Sequence, residues 1–211
     1  MVRIRETEHR AGWIEVICGV MFSGKSEELI RRIKRAQIAK QKVQVFKPSI
    51  DNRYDPLFIN AHNGVKYNAI CISQTANIID LIDDDTDVIA IDEIQFFSPS
   101  IIPDLELLAD QGKRIILAGL ELDFKGDSFG IMPQILCIAE YVDKLHAICV
   151  KCTSPATRTQ RLVNGSPARH DEPIILVGAS ESYEPRCRGC HTVIKESNSS
   201  QVNKEELVLA V

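Results

Sequence analysis

Gly19-Val-Met-Phe-Ser-Gly-Lys25-Ser26 has the spacing GxxxxGK[ST]. In that pattern the glycines let backbone N–H groups wrap the phosphates of a nucleotide. Gly19, Val20, Met21, Phe22, Ser23 and Gly24 form the candidate cradle. Lys25 would reach the β- and γ-phosphates, and Ser26 would ligate Mg²⁺. A helix opening near Lys25 adds the partial positive charge of its N-terminus. A glycine-rich turn with a chance lysine is the bland alternative, disfavoured because full spacing and strand–helix context coincide. The motif points to a nucleoside triphosphate and is silent on what receives the phosphoryl group.

Val88-Ile-Ala-Ile-Asp92-Glu93 supplies a second half: four apolar residues, then two carboxylates. Asp92 at such a strand end would sit near Mg²⁺, and Glu93 beside the γ-phosphate could take a proton from an attacking oxygen. That oxygen could belong to a substrate hydroxyl or to water, so the pair alone does not separate a kinase from an ATPase. Cys149-x-x-Cys152 and Cys187-x-x-Cys190 are two thiolate pairs whose spacing suits a closed tetrahedral Cys₄ zinc site of structural type. His191 is adjacent and could stand in for Cys190, although the matched spacing favours cysteine.

These groups need elements to hold them. Trp13–Cys18, Val43–Phe46, Val88–Ile91 and Ile115–Leu120 are short apolar runs suited to strands covered on both faces. Helical periodicity lies between them over Lys25–Ala39, over Pro103–Gln111 with a stop at Gly112, and over Pro133–Lys144. The last places Ile135, Ile138, Ala139 and Val142 on one face. Alternation of this kind predicts an α/β fold with a parallel sheet. After Leu145 the pattern changes to short strand-like pieces, an Asn164-Gly165 turn signal and the cysteine pairs. The organisation expected is thus a P-loop NTPase-like α/β unit at 12–145, a small zinc-binding unit at 146–194, and a flexible tail at 195–211. The basic run Arg31, Arg32, Lys34, Arg35 reads as a solvated helix face, and Asp83, Asp84, Asp85, Asp87 as a solvated turn.

Composition narrows the function classes. The 211 residues are 45% hydrophobic and 26% charged, enough apolar material to exclude wholesale disorder. A formal net charge of −4 argues against an electrostatic nucleic-acid binder. Few basic residues, among them Arg158, Arg161 and Arg169, punctuate the stretch between the cysteine pairs. Seven cysteines cannot all pair within the chain. With no export-type N-terminus and no membrane span, a cytoplasmic, reducing location is expected. Cys18, Cys71 and Cys137 read as buried core residues, and Phe97 likewise.

GVMFSGKSEELIRR, IDEIQFF, LDFKGDSFG, the two CxxC pairs and VGASESYEPRC together resemble the thymidine kinases of the cellular, zinc-containing type, from about Gly12 to Ile194. The resemblance implies transfer of the ATP γ-phosphate to the 5′-hydroxyl of thymidine, with deoxyuridine as a second acceptor, Mg²⁺ as cofactor, dTTP as inhibitor and a homotetramer as the assembly. It makes Glu93 the catalytic base and Asp92 the metal-side carboxylate, with Gln95 and Phe96 continuing their motif. Asp51 and Arg53 correspond to a polar pair near sugar and phosphates. Met21, Leu120, Phe124 and Phe129 correspond to apolar contacts around the nucleoside, and Thr159 to a residue at the methyl end of the pocket. Ile174, Ile175, Leu176, Val177, Gly178 and Tyr183 correspond to a loop closing over the base. Cys18, Val20 and Ile94 depart from the commoner pattern without removing a chemical group.

Two other classes are weighed against this one: a DNA- or RNA-stimulated ATPase gripping nucleic acid through its zinc unit, and a non-catalytic nucleotide sensor. Net charge opposes the first. Intact Lys25, Ser26, Asp92 and Glu93 oppose the second.

Overall fold

A computed structural model of the protein describes residues 11–49, 58–60, 66–174 and 181–195. The order begins β1 (Trp13–Gly19), α1 (Lys25–Ile38), β2 (Val43–Pro48), β3 (Phe58–Asn60), β4 (Lys66–Asn68) and β5 (Ile70–Ile72). It continues with β6 (Val88–Ile91), α2 (Ile101–Asp110), β7 (Arg114–Gly119), α3 (Met132–Ile138) and β8 (Tyr141–Leu145). Six of these strands form one parallel sheet in the order β5-β2-β6-β7-β1-β8.

Both faces of the sheet are covered, which explains the continuous apolar runs. In β1, Ile14, Val16 and Cys18 point to the face packed by α2 and α3, while Ile17 points to the face packed by α1. α1 contributes Leu29, Ile30, Ile33 and Ala36 as its buried stripe. Each leucine or isoleucine side chain taken out of water contributes roughly 1.5–3 kcal/mol. α2 begins two residues ahead of Pro103, which thus sits in the first turn, where a missing N–H breaks no helical bond. Gly112, at φ 88°, ends it as expected.

The helix expected over Pro133–Lys144 is corrected by the structure. α3 stops at Ile138, Ala139 is extended, and Tyr141–Leu145 runs as β8 beside β1, from Glu15↔Tyr141 to Gly19↔Leu145. The helical spacing of Ile138, Ala139 and Val142 is real, but the unpaired edge of β1 offers this segment a full ladder, which a continued helix would leave unmade. Glu140 seals the start: its carboxylate accepts from Ile14 N at 2.7 Å and its N–H donates to Ile14 O. β3, β4 and β5, three residues each, lie outside the strands read from sequence.

Charge placement brings a second correction. Arg32 is not on a wet face: its guanidinium pairs with Glu15, Glu28 and Asp143, and it is largely enclosed. Glu15 lies buried in β1 and also takes Arg114 and the Trp13 indole N–H. Asp83 and Asp85 do lie in an exposed turn, both against Lys42. Among the scattered cysteines only Cys18 is buried; Cys71 and Cys137 are exposed.

Beyond Leu145 the chain forms β9 (Ala147–Ile148), β10 (Pro155–Ala156), β11 (Arg158–Val163), β12 (Ser166–Pro167) and β13 (Glu181–Arg186). β11 is central, pairing antiparallel with β12 and β13. Asn164 and Gly165, both at positive φ, make the β11–β12 turn that the Asn-Gly signal indicated. Among the described residues, no helix is long and apolar enough to cross a membrane.

Candidate functional site

β1 ends in the Gly19–Ser26 loop and delivers it to the N-terminus of α1. Gly19 has φ 146°, and a Cβ there would lie 2.5 Å from Leu145 O and 2.7 Å from Ser23 Oγ. Gly24 caps α1 at φ 87°, and Phe22 is exposed in a left-handed conformation. Lys25 folds under the loop, its Nζ donating to Val20 O at 2.9 Å. Burial holds the ammonium below the ordinary lysine range, against the upward pull of Glu93, Asp92 and Glu121. Ser23 Oγ is buried without a hydrogen-bond partner. An orphan hydroxyl beside a lysine, at the mouth of a helix, fits a phosphate.

The carboxylates arrive from β6, which stands two places from β1 with β7 between them. Asp92 is buried, and its Oδ1 accepts the Glu93 N–H at 3.0 Å. Burial, reinforced by the charge of Glu93, pushes the Asp92 carboxyl up to about 7. A divalent cation would remove that penalty, so this acid fits a metal-facing role. Glu93 is half-buried at φ 53°, ψ 41°. Its Oε2 accepts from Gln95 Nε2 at 2.5 Å, and Gln95 Oε1 accepts from Leu120 N at 3.1 Å. Gln95, expected among the nucleotide contacts, therefore spends its amide on the neighbouring carboxylate and on the end of β7.

Residues expected around a nucleoside gather on the same side. Phe96 and Phe129 meet edge to face at 5.2 Å. Leu120 directly follows β7, and Phe124 is buried. Thr159, buried in β11, accepts a hydrogen bond from Met21 N at 3.1 Å, tying the phosphate loop to the C-terminal sheet. Tyr183 faces Arg161 across the β11–β13 ladder, while Ile174 is exposed. Phe97 is core. Asp51, Arg53, Ile175, Leu176, Val177 and Gly178 lie outside the described residues, as do residues 196–211 of the expected tail.

Cys149, Cys152, Cys187 and Cys190 converge, with their sulfurs all within 4.8 Å of one another. A tetrahedral zinc with Zn–S of ~2.3 Å needs sulfurs about 3.8 Å apart, so the cluster fits structural Zn²⁺. Burial raises the Cys149 thiol, but the backbone N–H groups of Cys187, Lys151 and Cys152 outweigh it and bring it down to about 6. Cys190, hydrogen-bonded among Cys187 and Cys152, is pushed up to about 12. His191 is not a fifth candidate: its Nε2 hydrogen-bonds Phe124 O at 2.8 Å.

Three further groups escaped the sequence reading. Glu121, just past β7, is buried with neither oxygen hydrogen-bonded, held by an ion pair to Lys144 at 3.3 Å. Gln160 brackets Thr192, accepting its N–H and donating to its carbonyl. Arg161 is wholly buried against Phe124. Only Glu121 carried a signal, as an acid just after the apolar run of β7; Gln160 and Arg161 lie in β11, whose sequence RTQRLV is mostly polar and reads as no buried strand. A family model described as thymidine kinase matches residues 12–191.

Proposed function

The chain belongs to the thymidine kinase family, and on that premise we propose that it transfers the γ-phosphate of ATP to the 5′-hydroxyl of thymidine, with deoxyuridine as a further acceptor. The observation that carries the reading is the convergence on Lys25 of a phosphate loop from β1 and the Asp92–Glu93 pair from β6. Glu93 is the general base, taking the 5′-hydroxyl proton through the oxygen that Gln95 does not hold. Lys25 leaves Val20 O for the β- and γ-phosphates, where its charge counts most as the phosphoryl group transfers. Mg²⁺ held by Ser26, Asp92 and the phosphates would neutralise negative charge on the transferring group. Thr159, Met21, Phe124, Phe129, Leu120 and Tyr183 line the acceptor side and exclude water, which otherwise competes as acceptor.

The chain divides on this reading into a nucleotide-binding unit at 12–145 and a zinc-braced unit at 146–194. The assembly is a cytoplasmic homotetramer, subject to inhibition by dTTP. The deciding experiment measures ATP turnover with Mg²⁺ and a panel of nucleosides, with single-stranded DNA, and with neither. Thymidine-dependent formation of dTMP is expected. Turnover stimulated by DNA alone would overturn the kinase reading in favour of a nucleic-acid-dependent ATPase.

A further inference from the structure

Arg161 is the largest fully enclosed side chain among the described residues, with 0% of its surface exposed. An arginine cannot shed its charge to escape such a place, so its partners must repay its dehydration. They come from two separate stretches of chain. The guanidinium carbon stands 5.0 Å from the centre of the Phe124 ring, on the loop that follows β7. Nη1 donates to Pro173 O at 2.6 Å, and Nη2 lies 3.4 Å from Glu172 Oε2. Glu172 is itself fixed, since its other oxygen accepts the Arg169 N–H at 3.0 Å.

The strand carrying Arg161 is also the one that reaches the phosphate loop. Alternation along β11 puts Thr159 and Arg161 on the same face, two residues apart. Thr159 holds Met21 N, and Arg161 holds Phe124 and the carbonyl just before Ile174. Only a planar fork does this: one flat face covers the ring while Nη1 donates to the Pro173 carbonyl and Nη2 stands in an ion pair with the Glu172 carboxylate. A lysine offers a point charge without the flat face.

We propose that Arg161 is a positioning residue of the nucleoside site, fixing the Phe124 ring and the backbone at Pro173 in one relation to each other. The proposal rests on the thymidine reading of that site. It makes thymidine affinity depend on Arg161 while ATP affinity, set at Gly19–Ser26, does not.

The test compares zinc-loaded parent protein with Arg161→Lys and Arg161→Met. Thymidine and ATP·Mg²⁺ binding are measured separately by calorimetry, beside steady-state KM and kcat. Hydrogen bonds to a charged group contribute enough that Arg161→Met should bind thymidine roughly 10- to 100-fold more weakly. Arg161→Lys should fall between it and the parent, with ATP affinity within about twofold in both. Should Arg161→Met fail to fold, Arg161→Lys carries the same comparison. Unchanged thymidine affinity in the variants, or equal losses for thymidine and ATP, would overturn the positioning role. Absence of thymidine binding by the parent would remove the nucleoside reading and the proposal with it, an outcome distinct from the others.

Discussion

Glu93 occupies a left-handed backbone position that residues with a Cβ take up rarely and at a cost. Two hydrogen bonds hold it there, from its N–H to Asp92 Oδ1 and from Gln95 Nε2 to its own carboxylate. Exchanging Glu93 for Gln keeps shape and removes basicity. We expect kcat for thymidine to fall ~10²–10⁴-fold with little change in ATP binding, as read by steady-state kinetics and nucleotide titration. A variant as fast as the parent would take the base role from Glu93. Asp92 supplies a pH prediction of unusual sign. Its carboxyl is raised on folding from 3.8 to about 7, because burial and then Glu93 disfavour its charge. A raised acid favours the folded state while protonated, and that contribution is lost as pH rises from about 4 to 7. Without nucleotide or Mg²⁺, Asp92→Asn should therefore melt progressively higher than the parent over that window, the gap levelling above pH 7. A gap independent of pH would show that Asp92 ionises normally.

At the scale of elements, the phosphate loop depends on a close approach that the motif alone does not reveal. A methyl group on Gly19 would meet Leu145 O on β8 and Ser23 Oγ. Gly19→Ala should thus abolish measurable ATP binding while the sheet still folds, checked by nucleotide titration beside circular dichroism. Thr159→Val deletes the acceptor for Met21 N. A net hydrogen bond of ~0.5–1.5 kcal/mol predicts a rise of about 2- to 10-fold in KM for ATP, although Thr159 lies in a different sheet. Much of this scale was legible. β6 matches its apolar run to the residue, and α1 ends one residue short of the stretch read from its periodicity. β8 was not legible, because four of its five residues are exposed and its spacing also suits a helix. Propensity cannot see that β1 has an edge to fill.

At the scale of the molecule, two devices outside the hydrophobic cores bear on stability among the described residues. One is the Glu15–Arg32–Arg114 knot, where burial raises the Glu15 carboxyl but its arginine partners outweigh it and hold it below the usual range. Its stabilisation is present above the ordinary glutamate pKa and lost as pH falls below it. Glu15→Ala leaves both arginines without that partner and should cost about 3 kcal/mol, read by urea denaturation at neutral pH. The other device is the cysteine cluster, which closes the strands after Leu145 where little apolar core exists: Val20, Ala147, Cys149 and Ala156, with Cys187 and Cys190 packed against them. Removing zinc with a strong chelator should loosen these strands while the parallel sheet persists. Hydrogen exchange would show protection lost in β9–β13 and kept in β1, β6 and β7.

Taken by itself, the sequence determined the GxxxxGK[ST] loop, the Asp92–Glu93 pair, the two CxxC pairs and the α/β class. Each is a local pattern: glycine spacing, an apolar run ending in acids, two tight turns, a periodicity. What depends on distant residues meeting was decided only by the tertiary structure. It put β7 between the strands that carry the Gly19–Ser26 loop and the Asp92–Glu93 pair, turned the expected end of α3 into β8, enclosed Arg32, which the sequence placed on a solvated helix face, and buried Arg161 completely. It also joined Thr159 to Met21 across 138 residues of chain. Local propensity fixes which groups are available, whereas edges, buried partners and charges are set by what the rest of the fold leaves unpaired.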